Sequence, residues 1–149
     1  MPHAREIIRK AVVTAVTDLV TTGPDVFTNR MTPFRDSDLP NISVYVAREA
    51  ETIEEDDEMG PYELRVLPVD IVARARANNE LDDQLDDICL EVETAIHADT
   101  DLAALIKGIS LISTEIEMDH EGEQPVGAAR MEWAIIYRVN GAAPTAPVQ

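Results

Sequence analysis

Cysteine is nearly absent from this 149-residue chain, with Cys89 standing alone. An intramolecular disulfide is therefore excluded, and so is a zinc site built from several thiolates. A reducing compartment is the default expectation for such a chain. Aromatic residues are also scarce, with two Phe, three Tyr and one Trp, so few rings are on hand to stack on nucleic-acid bases. The six glycines never cluster, which leaves no phosphate-cradling loop. The only serines are Ser37, Ser43, Ser110 and Ser113, and none stands in a nucleophile elbow. His3, His97 and His120 are too scattered for a paired-histidine metal site. No apolar run approaches the length that spans a bilayer. Residues 11–20 follow Arg5, Arg9 and Lys10, but they include Thr14, Thr17 and Asp18 and lead into no small-residue cleavage site. They read as a helix rather than a signal peptide, and the expectation is a soluble, non-enzymatic protein without a cofactor or metal.

Basic charge is the remaining shortage: 12 Lys and Arg face 29 Asp and Glu, for a net charge of −17. Such a surface repels phosphates and anionic lipid, so neither is an expected ligand. The 45% hydrophobic content still supplies a core, so acidity does not mean disorder here. The acids are clustered. Residues 49–58 carry seven, 80–101 carry nine and 115–123 carry five, all without a base, whereas residues 1–48 are nearly neutral. The field is directional, and at least one face or loop tip is strongly negative.

Periodicity supplies the elements. Ile8, Val12, Ala15, Val16 and Leu19 recur at three- and four-residue spacing, which predicts a helix over 5–20 that Thr22-Gly23-Pro24 stops. A short strand over 26–30 is followed by an alternating strand over 41–48. In the next strand, over 62–74, Leu64 and Val66 read as inward and Glu63 and Arg65 as outward. The phase then slips at Leu67-Pro68, which predicts a bulge or an edge position. Asn78-Asn79 can cap a second helix whose buried stripe is Leu81, Leu85, Ile88, Val92 and Ile96. Asp99-Thr100-Asp101 opens one more helical turn. Two alternating strands, around 112–119 and 129–139, close the domain. The expected fold is α+β, a mainly antiparallel sheet of four to five strands with two principal helices packed on it. Residues 1–139 form a single domain, and 140–149 an Ala/Pro-rich flexible tail.

The chemistry-bearing clusters are acidic. Glu115, Glu117 and Asp119 share one strand face at about 6.8 Å spacing, which suits either a divalent cation or a solvated face that discourages edge pairing. The stretch beginning at Glu117 imitates a calcium loop but has Ala128 where the bidentate glutamate belongs. Asp82, Asp83, Asp86 and Asp87 make two i,i+4 like-charge pairs on the exposed side of the second helix, at a cost of a few tenths of a kcal/mol per pair. Either a solvated helix start or a partner's cations account for them. Phe27, Arg30, Phe34 and Arg35 are the only aromatic–basic cluster and read as loop packing or a protein contact.

The order of elements carries a resemblance. An amphipathic helix leads to Val26-Phe27-Thr28-Asn29-Arg30. Phe34-Arg35-Asp36-Ser37-Asp38-Leu39-Pro40 then enters the strand Ile42-Ser43-Val44-Tyr45, and a final hairpin contains Asp119-His120-Glu121 and Tyr137. Over residues 3–139 the chain resembles the tail terminator family of long-tailed phages, of the lambda minor tail protein type. The resemblance implies a virion tail protein, assembled in the host cytoplasm and sited at the tail–head junction. It implies a homo-hexameric ring that caps the finished tail tube, stops its polymerisation and offers a docking surface to a head-completion or neck protein. DNA passes through the lumen without specific binding, and no membrane is involved. On that reading Glu54, Glu55, Asp56, Asp57 and Glu58, with Asp82, Asp83, Asp86 and Asp87, are candidates for the lumen or for subunit contacts. Arg30, Arg35, Arg48, Arg74 and Arg76 are candidates for the complementary surface. The alternatives are another neck or tail-completion protein, an acidic DNA mimic, or a metal-dependent enzyme using Glu115, Glu117 and Asp119.

Overall fold

The apolar stripe at the N-terminus forms α1 (Ala4–Ala15), with Ala4, Ile8 and Val12 buried along one side. The computed structural model that shows this describes residues 1–28, 36–46, 50–52, 61–76, 79–119 and 126–148. His3 caps α1, its Nδ1 accepting from the Arg5 N–H at 3.0 Å. The helix ends at Ala15, short of the 5–20 expectation. The Thr14 and Thr17 hydroxyls donate to the carbonyls of Lys10 and Val13, and Val16 has already left helical geometry. Asp18 then takes a positive φ of 62°, and Gly23, at 57°, closes a tight Leu19–Gly23 bridge rather than capping the helix. Val16 is nonetheless fully buried and Leu19 packs against the core, so the apolar spacing outlasts the helix.

The strands are β1 (Val26–Thr28), β2 (Asn41–Tyr45), β3 (Ala50–Thr52), β4 (Tyr62–Arg76), β5 (Gly108–Asp119) and β6 (Val126–Asn140). They form one sheet in the order β1-β2-β4-β6-β5, and β3 pairs with a further part of β4. The α+β class holds, but the mainly antiparallel expectation is corrected to a mixed sheet. β1 runs parallel to β2, Val26 beside Ile42, so the two strands are not joined as a hairpin. The helices number three rather than two among the described residues: α2 (Leu81–Ala98) and α3 (Thr100–Leu105) follow β4. Glu80 stands at the N-cap of α2 without a side-chain cap bond. Asn78 lies outside the described residues. Asp99 caps α3 as expected, accepting from the Leu102 N–H at 2.8 Å.

The register slip predicted at Leu67-Pro68 is absent. β4 pairs with β6 without interruption from Tyr62 opposite Asn140 to Arg76 opposite Val126. Leu67, Val69, Ile71 and Ala73 face the helices and are fully buried, but Glu63 and Arg65 share their side of the strand. Leu64, Val66 and Pro68 lie on the opposite face. β4 is therefore central. Pro68 is tolerated there because it falls in the interval between the β3 ladder, at Leu64–Val66, and the β2 ladder, at Asp70–Arg74. The one register shift lies in β5, between Leu111 and Ser113.

The core is the layer between sheet and helices. α2 packs across β4 and β6, while α1 packs chiefly on α3 and more lightly on α2 and β2. Leu85, Ile88 and Val92 of α2 join Met131, Trp133, Ile135 and Tyr137 of β6 in one buried cluster, with Leu81 against Gly127 at one end of α2 and His97 5.8 Å from the Trp133 ring at the other. Each large apolar side chain so enclosed contributes roughly 1.5–3 kcal/mol. After β6 the chain doubles back, Val148 N donating to Arg138 O at 2.8 Å and Ala4 N to Pro144 O at 2.9 Å.

Candidate assembly surfaces

The exposed acids of the helical layer concentrate on α2, whereas the outer face of the sheet carries both signs. Asp82, Asp83, Asp86 and Asp87 are all exposed on the outer side of α2, over its first two turns. The positive end of the helix dipole favours the first of them. Leu90 stands among these acids at 65% exposure. Farther along, Glu91 reaches off the helix to accept from the Thr21 N–H at 2.8 Å and from its hydroxyl, tying the loop after α1 to α2. Among the described residues no group of His, Cys, Asp and Glu could hold a metal ion.

Arg74 and Arg76 belong to the other face. Both alternate with buried Ala73 and Ala75, so they lie on the side of β4 away from the helices. Arg74 donates to Ser43 Oγ at 2.8 Å and, more weakly, to the Tyr45 hydroxyl at 3.4 Å. Burial pushes the Tyr45 phenol up, but the hydrogen bonds with Ser43 and Arg74 and the nearby Arg charges outweigh it, leaving the phenol below its ordinary range. On the same face Arg130 pairs with Asp70 at 3.1 Å, and Glu115 lies opposite Arg130 in the ladder. Glu115 and Glu117 are exposed. Arg138 stacks over the Tyr62 ring with its guanidinium carbon 4.4 Å from the centroid. Within one copy, then, Arg74 and Arg76 are not brought to the α2 acids. Arg30, Arg35, Arg48 and the run from Glu54 to Glu58 lie outside the described residues, as do Phe34 and His120.

Sequence pattern missed the apolar part of this surface. Ile112, Ile116 and Met118 of β5 are 59%, 51% and 46% exposed. Ile116 pairs with buried Ala129 and Met118 with Gly127, so both point to the helix side of the sheet, where no described helix covers them. A Cβ on Gly127 would come within 2.5 Å of the Leu81 side chain, which places the start of α2 directly beside this strip. Ile112 is the extra residue at the bulge. The break in alternation at Leu111-Ile112 was its only sequence signal.

With this geometry in view, a family model described as phage minor tail protein U matches residues 3–137. The chain belongs to that family. Comparison with curated proteins returns no match. Family membership makes the protein a phage tail component with a structural role, one that works through contact with other tail or virion components. The exposed apolar strand and the acidic face of α2 are features that such contacts use. No described helix is long and apolar enough to cross a membrane.

Proposed function

We propose that this protein is the terminator of a long phage tail. It assembles as a six-membered ring on the finished tube, blocks further tube subunits, and presents its other side to the head-completion proteins. The match to the minor tail protein U family over residues 3–137 carries this reading. Two features support it. A ring of identical subunits needs two different, complementary patches on each copy, and the described surface has an acidic face on α2 and a separate helix, α1, with Arg5, Arg9 and Lys10 against the one acid Glu6. A lumen lined by acids such as Glu54–Glu58 would repel passing DNA over a Debye length of about 8 Å at physiological salt.

The deciding experiment is tail assembly in the absence of the protein. Overlong, headless tubes are the expected product, and tails of normal length would refute the reading. Changing Glu54, Glu55, Asp56, Asp57 and Glu58 to lysine tests the lumen separately. DNA ejection should slow, and unchanged ejection kinetics would remove these acids from the channel.

A further inference from the structure

We infer that the uncovered strip of β5 is the seat for α1 of a second copy of this chain, an inference that rests on the ring reading above. The helical layer is unevenly spread over the sheet order β1-β2-β4-β6-β5. α1 packs on α3, α2 and β2, α2 lies over β4 and β6, and α3 adjoins only the start of β5, at Gly108 and Ile109. On the last strand Ile116 and Met118 are left about half exposed, although their ladder partners Ala129 and Gly127 belong to the core side. Among the described residues β5 pairs with β6 alone, so no described strand occupies its other flank.

Charge identifies the occupant. The strip is bordered by the start of α2, where Leu81 packs beside Gly127 and the exposed Asp82, Asp83 and Asp86 follow. An element seated there should be amphipathic and cationic. α2 and α3 contain no Lys or Arg. α1 carries Arg5, Arg9 and Lys10 against a single acid, Glu6, and keeps Ile7 and Val13 half-buried beside them. Within its own copy α1 is already packed on α3, α2 and β2 rather than on β5. A copy therefore cannot fill its own strip, and the contact runs head to tail, the arrangement from which closed rings are made.

The test uses two double variants, Ile116→Glu with Met118→Glu, and Arg5→Glu with Arg9→Glu, and reads mass by sedimentation. Trp133 fluorescence and circular dichroism check that each is folded, and serine replaces glutamate at 116 and 118 if the first variant is not. The wild type should form rings, and each variant alone should remain at the 16.4 kDa chain mass. An equal mixture of the two has one intact joint, so it should stop at twice that mass. Variants that still close rings, or a mixture that stays monomeric while the wild type assembles, would overturn the inference and leave the ring reading standing. Rings that form normally but no longer bind tail tubes would reassign the strip to the tube protein, and so overturn it too. A wild type that remains monomeric at millimolar concentration overturns the ring reading itself.

Discussion

Leu85→Ala, set against Leu90→Ala, puts the placement of α2 to a quantitative test. The two leucines lie five residues apart on one helix, but Leu85 is fully buried between α2 and the sheet while Leu90 is 65% exposed. Truncating a fully buried leucine removes its transfer free energy and leaves a cavity, for about 2.7–5 kcal/mol. Leu85 packs on the central strands β4 and β6, whose uninterrupted ladder resists collapse into the void, so a loss of about 3 kcal/mol or more is expected. At Leu90 the change should stay within about 0.5 kcal/mol. Urea unfolding followed through Trp133, the only tryptophan and 1% exposed, supplies the assay. With a slope of about 1–3 kcal/mol per molar urea, Leu85→Ala should lower the midpoint by about 1–3 M. The melting temperature should fall by roughly 6–12 °C. Equal losses at the two positions, or the larger loss at Leu90, would refute the placement of α2 and with it the acidic face that its rotation defines.

Three further outcomes follow from the same geometry. Asp86→Asn and Asp87→Asn remove one partner from each like-charge pair while keeping the acids of the first turn. Stability should rise by a few tenths of a kcal/mol per site at low salt, and the gain should vanish in 1 M salt; a loss at low salt would show that these acids have favourable partners in the monomer. Burial, with Glu93 and Asp86 nearby, pushes the Cys89 thiol up to about 11 from its ordinary 9.0. Because the folded-state value is the higher one, its stabilising contribution is complete below pH 9 and is lost as pH rises through 11. Cys89→Ser should therefore flatten the alkaline limb of the stability profile, and a native thiol that reacts with a disulfide reagent as fast as the unfolded chain would contradict its burial. Gly127→Ala drives a methyl against Leu81 and should cost about 1–3 kcal/mol by thermal melt. A neutral result would mean that Leu81 moves freely and that the border of the β5 strip is soft.

Reading the sequence recovered the elements whose signal is local. The stripe Leu81, Leu85, Ile88, Val92 and Ile96 is buried as its spacing required, and the alternation of 129–139 continues through all fifteen residues of β6. Errors arose where a local signal competed with a distant one. Pro68 and the change of polarity around it look like an edge or a bulge. The β3 and β2 ladders leave a gap at that point, so a central strand can hold proline without losing its register. The parallel β1–β2 pair was equally hidden, because direction depends on a crossover that no periodicity encodes.

Alternation correctly assigned Thr114, Ile116 and Met118 to one face of β5, and that face does point toward the helices. Whether a helix reaches it is a separate question, decided by how the described helices distribute over the sheet. An apolar residue on the correct face reads as core in the sequence whether or not anything lies above it. A surface of this kind becomes visible only when face and exposure are compared, and on β5 they disagree at Ile116 and Met118. In a family of tail components that disagreement has a physical meaning. On the ring reading proposed above, the layer that would complete the core of one copy comes from the next, so folding and assembly would share one hydrophobic interface. Ring formation should then raise the melting temperature with protein concentration, and loss of the strip should abolish that dependence without lowering the melting point of the monomer.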